Sequence, residues 1–138
     1  MIVDILESSL EIDESYVVES SAEIHSQLRE YERGERFTFD LEVTVPDGLT
    51  GQVMREMATI PYGETRTYGD LAETLDTAPI AIGGACGRNP VPIIVPCHRV
   101  VGHDGGLCGY SGGDGLATKR ELLEFEARYA NSTPPNQR

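Results

Sequence analysis

The stretch Asn89-Pro90-Val91-Pro92-Ile93-Ile94-Val95-Pro96-Cys97-His98-Arg99-Val100-Val101 organises the reading of this chain. Val91 to Val95 is a compact apolar segment interrupted by Pro92, and Pro96 forces a bend just before Cys97. Val100 and Val101 return to an extended style. Most free cysteines are buried and inert. Burial raises a thiol's pKa, whereas a neighbouring base or cation lowers it. With His98 and Arg99 directly after it, Cys97 is a candidate nucleophile. The alternative is a packed thiol whose neighbour His98 points to the opposite face of an extended chain.

Upstream of this stretch the pattern is helical. Thr50 to Thr59 places Val53, Met54 and Met57 inward, and Pro61-Tyr62-Gly63 stops it. Thr67 is an N-cap with Asp70 three residues on, opening a helix through Leu71, Ala72 and Leu75. A second short helix spans Pro79 to Gly87. Two short helices joined by a tight turn suggest a helix-turn-helix. Downstream, Gly102 to Gly115 is a glycine-rich loop whose backbone can approach a ligand closely. It lacks the Gly-Lys-Ser/Thr of a phosphate-binding loop.

A final helix runs from Gly115 to Tyr129, with Leu116, Lys119, Leu122, Leu123, Glu126 and Tyr129 on one face. A carboxylate in such a stripe needs a partner. His98, Lys119 and Arg55 are the candidates for Glu126, the alternative being that it sits at a frayed helix edge. Pairing with His98 would complete a nucleophile, base and orienter set.

The first third reads as short strands at Ile2–Leu6 and Ser15–Val18, a helix at Ser21–Tyr31 and a strand at Phe37–Val45 with alternating apolar residues. Pro46-Asp47-Gly48 marks a boundary. The expected organisation is a reduced N-terminal α/β region over 1–47, a second domain over 48–130 and a flexible tail over 131–138. The fold class expected is α+β.

The chain has 138 residues and a net charge of −12. Residues 1–47 hold 13 acidic and 3 basic side chains, and residues 48–138 hold 10 and 8. Between Thr77 and His103 there is no carboxylate, while Arg88 and Arg99 lie inside. The segment best placed to meet an anionic partner is spared the acid, although the net charge itself argues against a nucleic-acid binder, which normally shows a basic face. The acid-rich, lysine-poor composition suits strong salt, where charge is screened. Three cysteines, Cys86, Cys97 and Cys108, do not make a disulfide framework, and no Cys/His cluster suggests zinc. No apolar run is long enough to span a bilayer, and the acidic start does not read as a secretory signal. A cytoplasmic monomer without metal or cofactor is expected.

The chain resembles the O6-alkylguanine-DNA alkyltransferase family, the methylated-DNA–protein-cysteine methyltransferases. The likeness is carried by Ile60-Pro61-Tyr62-Gly63-Glu64-Thr65-Arg66-Thr67-Tyr68-Gly69, by Asn89 to Val101 as quoted, and by Gly109-Tyr110-Ser111-Gly112-Gly113. Lys119, Leu122, Leu123 and Glu126 follow in register. The resemblance implies a winged-helix-like, helix-turn-helix alkyltransferase domain that repairs double-stranded DNA containing O6-alkylguanine in a single-turnover reaction. It implies that Cys97 accepts the alkyl group, that His98 deprotonates it through a water, and that Glu126 holds the imidazole tautomer. It also implies that Tyr68 touches the flipped base and that the carbonyls of Cys97 and Val100 accept from its amino group. By the same likeness the Ser111 amide donates to O6, Tyr110 lines the pocket and Asn89 braces the turn before the cysteine. Base flipping follows from the chemistry, because O6 of a stacked guanine is beyond the reach of a buried thiolate.

On the DNA side the implied contacts are Ile80, Ala81, Gly84, Arg88 and Arg99. Here the chain departs from its family, in which an arginine usually stands where this sequence has Ile80. An isoleucine can wedge between bases but cannot hydrogen-bond an orphaned cytosine, so weaker flipping and DNA binding are expected. The N-terminal region is also shorter than usual. The alternatives are a non-catalytic relative that binds O6-alkylguanine lesions and a Cys-His-Glu thiol hydrolase.

Overall fold

The computed structural model describes residues 1–103 and 115–130. The fold is α+β, as expected. Strand β1 (Ile2–Ile5) pairs antiparallel with β2 (Ser8–Glu11), burying Val3, Ile5 and Leu10. Glu14–Tyr16 forms one 3-10 turn rather than the expected strand. The Asp13 carboxylate accepts from the Ser15 amide, a local bond that competes with strand pairing. Helix α1 (Ser21–Glu32) begins at Ser20, whose hydroxyl accepts from the Glu23 amide. It presents Ile24, Gln27, Leu28 and Tyr31 to the core.

Phe37 to Val45 does not form the expected strand. Its side chains alternate between half-buried and exposed, as the sequence pattern requires. Its sheet pairing amounts to one antiparallel bridge, Val17 with Val43. Side chains serve much of the remaining backbone. Gln27 donates to the Asp40 carbonyl at 3.2 Å and accepts from the Asp40 amide at 2.8 Å, and Glu19 accepts from the Glu42 amide at 2.8 Å. Backbone groups must be satisfied, but a sheet neighbour is only one way to do it.

Helix α2 (Leu49–Met57) buries Val53, Met54 and Met57. The Pro61–Glu64 turn follows, closed by the Glu64 amide on the Pro61 carbonyl at 3.1 Å. Gly63 holds φ +82° there, and a Cβ on it would stand 2.6 Å from that of Ala130, so glycine is required twice over. Strand β3 (Arg66–Thr67) leads into α3 (Tyr68–Thr74), which opens with a reciprocal capping box between Thr67 and Asp70. It ends in a Schellman motif: Asp76 takes φ +54°, the Thr77 amide reaches the Ala72 carbonyl at 2.9 Å and the Asp76 amide reaches Glu73 at 3.3 Å. This tight stop sets α4 (Pro79–Gly87) against α3, giving the helix-turn-helix.

After α4 the buried segment Val91–Val95 leads to a 3-10 turn over Cys97–Arg99. Strand β4 (Val100–Val101) then pairs parallel with β3. Helix α5 (Leu116–Tyr129) buries Thr118, Lys119, Leu122, Phe125 and Glu126. The inward stripe is therefore rotated from the expected one: Phe125 faces in and Leu116 faces out. One hydrophobic cluster runs from the N-terminal hairpin through α1, α2 and α4 to α5. The expected tail, 131–138, lies outside the described residues.

Candidate active site

Cys97, His98 and Arg99 occupy consecutive positions of the 3-10 turn, and all three are buried. The turn sits on a braced loop. Asn89 donates from Nδ2 to the Val95 carbonyl at 2.9 Å and accepts at Oδ1 from the Val91 amide at 3.1 Å. The Val95 amide reaches the Val91 carbonyl at 3.0 Å. Between them Ile93 takes φ +74°. For a β-branched residue this is strained by about 1–3 kcal/mol, and it persists because Ile93 is buried and both sides of the loop are pinned. The Asp13 amide reaches the Pro90 carbonyl at 2.8 Å, tying the N-terminal region to the same loop.

Behind the turn stands Glu126, with 1% of its surface exposed. His98 Nε2 lies 2.7 Å from Glu126 Oε2. Arg99 donates from Nε to Oε1 at 2.8 Å and from Nη2 to Oε2 at 2.9 Å, and from Nη1 to the Ile60 carbonyl at 2.7 Å. The Tyr31 hydroxyl donates to Oε2 at 2.7 Å. Burial alone would raise the Glu126 pKa, but His98 and the Arg99 guanidinium overcome it and hold the carboxyl far below the usual range. Burial lowers the His98 pKa, and Arg99 and Lys119 add to this against the pull of Glu126. The pair therefore rests as carboxylate and neutral imidazole. An ionised carboxylate can only accept, so Nε2 carries the ring proton and Nδ1 keeps its lone pair. His98 Nδ1 is buried with no hydrogen-bond partner among the described residues. Of the partners considered for Glu126, His98 is found. Lys119 instead donates to the Tyr68 hydroxyl at 3.2 Å, with its ammonium 5.4 Å from the Tyr68 ring centre.

Arg99 requires a correction. It was expected on the DNA side, yet its guanidinium is turned inward onto Glu126 and Ile60. A cation beside a reactive cysteine reads as an anion contact in sequence, and its true partner is 27 positions away. Sequence reasoning also missed Tyr31, whose spacing with Ile24 and Leu28 signalled only a core face.

The other expected site residues fall in three places. Tyr68 is half-buried at the start of α3. Val100 is wholly buried, and its amide donates to the Cys97 carbonyl. On α4, Ile80 is 87% exposed, Ala81 half-buried, and Gly84 exposed. Arg88 is exposed just past the helix and donates from Nε to Thr50 Oγ1 at 3.0 Å. Its guanidinium lies 3.2 Å from where a Gly84 Cβ would stand. Tyr110, Ser111 and Cys108 lie outside the described residues. A separate groove of about 840 Å³ runs behind the loop, between Phe37–Val45, α2 and Ile93–Pro96. Cys97 does not line it.

Residues 49–128 match the family model for the DNA-binding domain of 6-O-methylguanine DNA methyltransferase. The chain belongs to this family. Among family members, a methylated-DNA–protein-cysteine methyltransferase of Mycolicibacterium paratuberculosis is 46% identical over 107 residues, covering 75% of this chain and 64% of that protein. One from Archaeoglobus fulgidus is 42% identical over 115 residues, covering 78% and 76%. The family fold is shared as well. The crystal structure of the Mycobacterium tuberculosis member in complex with DNA superposes with a TM-score of 0.73 at 42% identity, over 83% of this chain and 70% of that one. The match spans slightly less than two thirds of the mycobacterial relatives' own length.

Proposed function

We propose that this protein repairs DNA by taking an alkyl group from O6 of guanine onto Cys97, and that each molecule acts once. The observation that carries the reading is the His98 ring, held through Nε2 by a buried carboxylate, with Nδ1 buried and without a hydrogen-bond partner among the described residues, on the same 3-10 turn as Cys97. In the proposed reaction a water relays the thiol proton to Nδ1. The Cys97 sulfur attacks the alkyl carbon in line, an S–C bond forms and the C–O6 bond breaks. The bonding pair leaves with O6 as the guanine anion, and the imidazolium, stabilised by Glu126, returns its proton through the water to that anion. The thioether product is stable, so no second cycle follows.

In this reading the Ser111 amide donates to O6 as the leaving charge develops. Tyr110 and Tyr68 border the flipped base, the carbonyls of Cys97 and Val100 accept from its amino group, and Asn89 keeps the cysteine loop in register. Ile80, Ala81, Gly84 and Arg88 form the DNA-facing surface, with Ile80 as the wedge. The partner is duplex DNA carrying O6-alkylguanine. The protein works as a cytoplasmic monomer, in which 1–47 is a reduced N-terminal region and 48–130 the reacting domain. No described helix is long and apolar enough to cross a membrane.

Incubation with a duplex containing O6-methylguanine, followed by intact-mass measurement, tests this. One methyl per chain, located on Cys97 and absent from Cys97→Ser, is the expected result. Binding of the lesion without a gain in mass would overturn transfer in favour of lesion binding alone. Turnover on esters or amides without methyl uptake would favour a thiol hydrolase.

A further inference from the structure

We propose that Tyr31, on α1 and outside the segment matched by the family model, is a positioning residue that fixes the Glu126 carboxylate on which His98 rests. The inference rests on the transfer reading above and assigns the N-terminal region a part in it.

Three donors converge on Glu126 Oε2: His98 Nε2 at 2.7 Å, Arg99 Nη2 at 2.9 Å and the Tyr31 hydroxyl at 2.7 Å. Arg99 and His98 both come from the cysteine turn. The Arg99 fork alone would allow the carboxylate to rock in the guanidinium plane and drift from the imidazole. Tyr31 approaches from another element, so its bond removes that freedom. The ring that carries the hydroxyl is itself held: Phe39 stacks on it at 5.7 Å, with Phe125 at 5.6 Å and Tyr62 edge-on at 6.1 Å. Tyr31 and His98 are wholly buried, so bulk water has no ready path to replace the lost donor. A tyrosine meant only to fill this core could be phenylalanine, whereas a buried hydroxyl is retained where it has a partner.

The hydroxyl also has an electrostatic role. Burial, then the Glu126 charge, push the Tyr31 phenol well above its ordinary pKa, so it stays protonated and always donates. A donor on Oε2 withdraws part of the charge that would otherwise stabilise a protonated His98. Tyr31 therefore keeps His98 neutral, with Nδ1 able to accept the thiol proton. Among the described residues, His98 feels Glu126 and Lys119 from α5 and Arg99 from its own turn, while Tyr31 from α1 and Tyr62 from the segment after α2 act on Glu126. Helix α4 adds Cys86 against Cys97, its thiol pushed up to about 12 by burial and by the Cys97 charge.

The test uses the full chain and Tyr31→Phe. One measurement is the rate of Cys97 alkylation by iodoacetamide across pH. A second is the ¹⁵N titration of the His98 ring, and a third is methyl uptake from the lesion duplex. Loss of a hydrogen bond to a charged group should slow both alkylations about tenfold. The His98 midpoint should move up by about half a pH unit, since the carboxylate regains charge. Ile24→Val, on the same buried face of α1, should lower thermal stability without moving that midpoint. Site-specific incorporation of a fluorinated tyrosine at position 31 keeps the ring, strengthens the donor and should move the midpoint down. It also decides the matter if Tyr31→Phe does not fold. An unmoved midpoint in both Tyr31 variants, or the same shift in Ile24→Val, would overturn the proposal. If the unaltered protein takes no methyl from DNA, the transfer reading fails, while the ring titration still judges Tyr31.

Discussion

The two sides of the cysteine turn are built in opposite ways. Toward α1 and α5, one buried carboxylate receives bonds from Tyr31, His98 and Arg99. Toward α4, the surface is nearly bare. Ile80 stands 87% exposed, Gly84 adds no side chain, and Arg88 is occupied with Thr50. The Tyr31, His98, Arg99 and Glu126 cluster is thus part of the core and forms when the chain folds, whereas the face proposed to meet DNA rests on a few exposed positions. The first should resist change. The second should be adjustable by single substitutions without disturbing the chemistry.

The largest effect expected from that contrast is at Glu126. Glu126→Gln leaves the Arg99 guanidinium buried without its counter-charge and deprives His98 of its anchor. Breaking one partner of a buried pair should destabilise the fold by about 3–5 kcal/mol, read by chemical denaturation, with methyl transfer lost in parallel. If stability were unchanged, the buried side would not be as interdependent as its bonds indicate.

A smaller effect follows from acid. Folded His98 and Glu126 both lie below their ordinary values of 6.5 and 4.5. The unfolded chain therefore binds more protons than the folded one as pH falls, and stability declines. The His98 contribution should be complete above pH 6.5 and be lost below it. That of Glu126 should be complete above 4.5 and be lost as pH falls further. A melting temperature followed from pH 8 to 2.5 should show this two-stage decline, and a flat profile would contradict the assigned protonation states.

The smallest effect lies on the α4 side. Ile80→Arg places a cation on an exposed position and should tighten duplex binding several-fold. The slope of log K against log salt should steepen by about 0.9, the value for one added phosphate contact. Thermal stability and iodoacetamide reactivity of Cys97 should stay unchanged. A change in thiol reactivity would show that the two sides are coupled after all.

Much of the fold was legible because its signals are local. The Thr67–Asp70 cap, the Pro61-Tyr62-Gly63 stop, the helix at Pro79 and the inward Glu126 are each written within a few residues. What misled was information about partners. Alternation in Phe37–Val45 reported correctly which side chains turn inward, but not that Gln27 and Glu19 would take the place of neighbouring strands. Strand β2, Ser8–Glu11, has no β-branched residue to signal it, and exists because β1 lies beside it. Arg99 and Tyr31 meet Glu126 across 27 and 95 positions. Sequence spacing marked both as present but carried nothing about whom they face.

Lys119, the chain's sole lysine, sits wholly buried against Tyr68. The folded surface therefore offers no lysine amine to acylating dyes or bifunctional cross-linkers, an unusual chemical silence for a protein of this length. Acylation at position 119 becomes a counter of opened molecules, so the molecule carries its own unfolding reporter without any added probe.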